Sequence, residues 1–124
     1  MRELAEVLQA ELDVVQELLG VCRQEQDALV ADDIEAIRAA AGRKGELSRR
    51  LAVLEEERQQ VVAGRPGTEE TEKLRSLLKQ AVRELQEVNE TNRLLARQSL
   101  AYVQKMLASL LPEGFTPAFM DRLV

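Results

Sequence analysis

Residues 74–111 read LRSLLKQAVRELQEVNETNRLLARQSLAYVQKMLASLL, and this stretch decides the fold. Leu74, Leu78, Ala81, Leu85, Val88, Asn92, Leu95, Ser99, Tyr102 and Met106 form a ladder whose steps alternate four and three without a slip. That is the 3.5-residue repeat of a helix buried along one seam against other helices. Leu77, Val82, Leu94, Val103, Leu107 and Leu110 widen the seam, which suits a bundle better than a bare two-stranded coiled coil. No Pro or Gly interrupts the run. Counted from Glu69, such a helix extends roughly 65 Å at about 1.5 Å per residue. It cannot stand alone, so the remaining chain is expected to supply its partners.

Upstream, residues 2–31 read as one helix, with Leu8, Leu12, Val15, Leu19, Cys22 and Leu29 on a similar ladder. At Ala31-Asp32-Asp33-Ile34-Glu35 the chain offers Asp32 as an N-cap, with Glu35 three residues on. A tight reversal here makes the first two helices antiparallel neighbours. A second helix is predicted over residues 33–63. Gly42 and Gly45 weaken its middle, and small residues there suggest close approach by another helix in preference to a local bend. Gly64-Arg65-Pro66-Gly67-Thr68 then stops one helix and caps the next, with Glu69, Glu70 and Glu72 favourably placed at its dipole's positive end.

The predicted fold is all-α. It is an antiparallel up-down-up three-helix bundle or coiled coil over residues 1–111, with a long third helix over residues 69–111 and a flexible C-terminal tail over 112–124. The first two helices hold about 30 residues each, so the third outruns them from about residue 100. The overhang is apolar: Leu100, Tyr102, Val103, Met106, Leu107, Leu110 and Leu111. Apolar surface left uncovered marks an interaction site. The tail holds both phenylalanines, Phe115 and Phe119, which suit a short docking motif.

Composition excludes several function classes. Aromatics are 2% of the 124 residues, too few for a base-stacking platform, and the net charge of −5 disfavours a general nucleic-acid binder. The charge is uneven: residues 1–31 carry a net −5 and residues 65–111 a net +2, so the first and third helices are expected to attract. Without any His, and with one Cys, neither a His-dependent nucleophile nor a zinc site can be built, and no phosphate-binding glycine loop occurs. An enzyme is not expected, and no cofactor or metal is implied. The lone Cys22 reads as a buried small hydrophobe in a reducing compartment, and no run is long and apolar enough for a membrane span. A cytoplasmic location follows as the expectation. Asn89, Asn92, Gln98 and Ser99 are polar groups at or beside the seam. They either fix helix register or hydrogen-bond a partner's backbone where an extra helix docks.

Three segments carry a family resemblance: EQDALVADDIEAI (25–37), KGELSRRLAVLEEER (44–58) and NETNRLLARQSLAYVQKML (89–107). In order and spacing they resemble the FlgN-type flagellar export chaperones of type III secretion. The resemblance implies a cytoplasmic chaperone for the hook–filament junction proteins FlgK and FlgL. It would bind their C-terminal helical region, prevent premature assembly and deliver them for export. The binding residues it points to are Asn89, Asn92, Leu95, Ser99, Tyr102, Val103 and Met106, with Leu100, Leu107 and Leu110 of the overhang beside them. Family members often carry a tail tyrosine followed by glycine for docking to the export gate component FlhA. This tail offers Phe115 and Phe119 with no downstream glycine, which puts gate docking in doubt. The rival expectations are a structural oligomerisation module, homodimeric through residues 100–111, and a chaperone for a different secretion substrate.

Overall fold

The computed structural model describes residues 3–62 and 67–110. Among these residues the chain forms three helices and no strand: α1 (Leu4–Val30), α2 (Ile34–Val62) and α3 (Glu69–Leu110). Both α2 and α3 pack along α1, while the α2 and α3 backbones stay farther apart and meet through side chains. The hub is therefore α1, not the long α3 whose periodicity dominates the sequence.

The reason lies in the width of the apolar stripe on α1. Val14 and Leu18 pack against Leu47 and Leu54 of α2. One position round the helix, Leu12 and Val15 pack against Ala81 and Leu85 of α3. Two adjacent apolar stripes on one helix can serve two neighbours at once. At the far end Leu4 and Leu8 meet Val61, with Leu74 and Leu78 closing over them. These clusters fix the topology, since the start of α1 lies beside the end of α2 and the start of α3. The order is up-down-up, as the sequence predicts. Leu47 is fully buried, a placement that stabilises the fold by about 1.5–3 kcal/mol relative to exposure.

The first reversal spans Ala31–Asp33, longer than the sequence predicts, and shifts its cap by one residue. Asp32 adopts the left-handed conformation at φ 54°. Its N–H donates to the Leu29 carbonyl (3.3 Å), and the Asp33 N–H donates to that of Ala28 (2.9 Å). This pair of bonds closes α1 in a Schellman arrangement. Asp32 is thus spent on ending α1, and Asp33 becomes the cap of α2, its Oδ1 accepting from the Ala36 N–H at 3.1 Å. A side chain in the left-handed region costs about 1–2 kcal/mol, less for Asp than for most residues. Asp32→Gly is expected to raise the melting temperature by a few degrees and Asp32→Val to lower it, as thermal unfolding followed by circular dichroism will show.

The second reversal starts α3 with Thr68 at the cap, as expected from the sequence. The Thr71 N–H donates to Thr68 Oγ1 (3.2 Å) and the Thr68 N–H to Thr71 Oγ1 (2.7 Å). This reciprocal pairing has the logic of a capping box, with Thr in the place of Glu.

Two other expectations are corrected. Gly42 has open space where a side chain would begin, and beside Gly45 only the Arg49 side chain comes near, at 3.6 Å. No helix packs closely there. The acids of α1 pair with α2 rather than α3: Glu17 with Arg43 (3.0 Å), Glu25 with Lys44 (3.1 Å) and Glu11 with Arg58 (2.8 Å). Among the described residues the α1–α3 ion pair has the opposite polarity, Arg23 to Glu84 at 3.9 Å. Net segment charge does not say which face a charge occupies.

Candidate functional site

A polar tier crosses all three helices near the upper part of the bundle. Asn92 Nδ2 donates to the Cys22 carbonyl (2.8 Å) and to Glu25 Oε1 (2.9 Å). Lys44 Nζ donates to Glu25 Oε1 (3.1 Å) and to Asn89 Oδ1 (2.9 Å). Asn92 is 3% exposed. It sits on the seam ladder of α3, so its side chain points at α1 and finds a backbone carbonyl there. In this arrangement the Asn92 amide nitrogen bonds within the bundle, as a register-setting residue does, while its Oδ1 makes no hydrogen bond. Asn92 in this arrangement has no surface to present to a partner, and Asn89 is engaged by Lys44. Asn92→Ala is expected to lower the unfolding free energy by about 1–2 kcal/mol, with Asn92→Leu losing less, measured by urea denaturation.

Burial, opposed in part by Lys44, pushes the neighbouring Cys22 thiol above its ordinary range. A buried thiol held protonated is a poor nucleophile. Among the described residues no cluster of carboxylates or Cys22 could hold a metal ion, and no helix is long and apolar enough to cross a membrane.

The other candidate residues divide at the end of the bundle. Below residue 100 the α3 ladder is covered: Ala81 and Asn92 are buried, and Leu85, Val88, Leu95 and Ser99 are half-buried. Above it the ladder continues, but its burial stops. Tyr102 is 65% exposed and Met106 45%. Val103 and Leu110 beside them are exposed as well, while Leu100 and Leu107 are half-buried.

Register explains the break. Cys22 of α1 lies opposite Asn92 of α3, and the two helices run parallel. α1 ends eight residues later, at Val30, level with Leu100. Residues 101–110 then project beyond their neighbours by about 15 Å. The sequence reading missed two further residues at the same end, Val30 (71% exposed) and Ile34 (60%) on the α1–α2 reversal. Their placement beside a helix break was the available signal, since the last apolar residue before a reversal often has nothing above it. Together with the overhang they give this end of the molecule an apolar character. Phe115 and Phe119, the predicted docking aromatics, lie outside the described residues.

Compared with known proteins, the family model described as FlgN protein matches residues 1–117. The chain belongs to the FlgN family. No curated protein and no solved structure matches it. FlgN membership places the chain in flagellar assembly as an export chaperone, a non-enzymatic role, and implies hook-associated proteins as its binding class. The match spans all three helices and the overhang, so the exposed ladder of α3 is part of the family region.

Proposed function

We propose that this FlgN-family chain is a cytoplasmic chaperone that binds the C-terminal helical region of FlgK and FlgL through the α3 overhang. The observation that carries the reading is the ladder that keeps its period from Leu95 to Met106 while losing its cover after about residue 100. A 3.5-residue apolar repeat is made for helical neighbours, and α1 and α2 are too short to provide them. An amphipathic client helix laid along Tyr102, Val103, Met106 and Leu110 would complete the seam, in the helix-in-groove manner. Leu95, Ser99, Leu100 and Leu107 form the half-buried base of that surface. Val30 and Ile34 of the α1–α2 reversal extend it.

Covering the client's terminal helix would keep it from assembling before export. Delivery would follow through contact of the chaperone with FlhA at the export gate. The same exposed face could instead pair with a second copy, which is the reading of an oligomerisation module.

Titration calorimetry with the C-terminal segments of FlgK and FlgL from the same genome tests the reading, alongside sedimentation of the free chain. Saturable binding to a free monomer is the expected result. A tight dimer that ignores both segments would replace the chaperone reading with the oligomerisation module.

A further inference from the structure

Because the backbones of α2 and α3 each lie along α1 and stay farther from each other, meeting only through side chains, a groove remains between them on the side away from the overhang. Near the start of α3 its floor is apolar, made by the half-buried Leu78 and Val82 of α3 above the buried Leu8 of α1. The cavity has a volume of about 370 Å³. Its rim is cationic, with Arg58 of α2 on one bank and Arg75, Lys79 and Arg83 of α3 on the other, and no carboxylate lines it. The three α3 cations recur every four residues, so they stand in a row along one face of the helix. Arg58 is drawn to the buried Glu11 and Arg75 to Glu72. Among the described residues Lys79 and Arg83 make no ion pair. In a chain of net charge −5 the charge this rim can offer a partner therefore rests on Lys79 and Arg83, since Arg58 also meets Glu55 at 3.8 Å.

We propose that this groove is a second docking site, which seats an acidic amphipathic helix of a partner protein. The floor and the rim together select the occupant. An apolar floor between two helices suits the apolar stripe of a third, whose diameter of about 10 Å matches the spacing of packed helices. The cations above it suit carboxylates flanking that stripe and disfavour a basic helix by like-charge contact. Nucleic acid would use the cations and leave the apolar floor empty. The site is separate from the overhang and does not depend on what binds there.

The test uses two synthetic helical peptides of about 18 residues, five turns, with Leu at heptad positions a and d. One carries Glu at e and g, the other Lys. Fluorescence anisotropy with the full chain is expected to show the Glu peptide binding at least about tenfold more tightly than the Lys peptide, with the difference shrinking as salt is raised. In the Lys79→Glu/Arg83→Glu variant the preference reverses, and in Met106→Asp it stays as in the wild type. Both substituted cations are exposed, so the double variant is expected to keep its helical melt. Equal binding of the two peptides, no binding of either, or a preference unchanged by the double reversal would overturn the proposal. So would loss of Glu-peptide binding in Met106→Asp, or a single-stranded oligonucleotide outcompeting the peptide.

Discussion

Replacing Arg58 with Met is expected to lower the unfolding free energy by about 2–3 kcal/mol near neutral pH and by clearly less near pH 5. Glu11 lies on α1 among the residues that face its neighbours, and its side chain is 4% exposed. Burial raises its pKa above the usual 4.5, and Arg58 pulls it back only in part. Arg58 Nε stands 2.8 Å from Glu11 Oε1, but the approach is out of line for a hydrogen bond and leaves both atoms without one. The contact is thus mainly Coulombic. A carboxyl whose folded-state pKa is raised binds its proton more tightly folded than unfolded. Its contribution therefore falls as pH rises from about 4.5 through the raised folded value, then levels off.

Removing Arg58 raises that folded value further and extends the falling limb upward in pH. Breaking a buried ion pair costs about 3–5 kcal/mol when the remaining charge is sealed in. The Arg58 side chain is 31% exposed, so water can enter where it stood, and the lower figure follows. Urea unfolding at two pH values measures the difference directly. Adding Glu11→Gln to the Arg58→Met chain is expected to recover most of the loss near neutral pH. An equal loss at both pH values would show that Arg58 acts by packing its stem, not by neutralising Glu11.

Substituting Met106 with Asp is expected to weaken binding of the FlgK and FlgL segments by at least about 30-fold while leaving the bundle's unfolding transition in place. Met106 lies on the ladder in the middle of the uncovered part of α3 and is 45% exposed. A client helix completing the seam would have to bury it, and a buried unpaired carboxylate costs several kcal/mol. A central contact of this kind accounts for about 2 kcal/mol or more of binding. In the free protein the substitution touches no core cluster, because α1 ends level with Leu100. Asp in the last turns of a helix also opposes the helix dipole, by about 0.3–1 kcal/mol. Met106→Lys carries the favourable sign for that position and separates the two effects. Loss of binding in both variants places the client on the overhang. Binding that survives in both moves it elsewhere on the bundle.

Periodicity alone made the helices, their order and the overhang legible. A ladder stepping four and three is a local property of the chain, and so are the capping signals at Asp32-Asp33 and Thr68. Helix length follows from residue count, which is why the projection of residues 100–110 could be read before any contact was known. The FlgN resemblance rests on the same kind of local information, the order of three helical segments.

Four things needed the tertiary structure. Which helix is the hub depended on α1 carrying two apolar stripes rather than one, and a single ladder read along the sequence hides the second. Whether Asp32 or Asp33 caps α2 depended on the backbone at φ 54°, a choice made by how α1 ends. The partners of the acidic residues depended on which face each occupies after packing, so segment charge pointed Glu11, Glu17 and Glu25 at the wrong helix. The hydrogen-bond partner of Asn92 depended on what stands across the seam: a polar residue there reads the same whatever it meets, and only packing brings the Cys22 carbonyl opposite it. Spacing along a helix is written into the chain one turn at a time, whereas the identity of the neighbour across the seam is a non-local quantity.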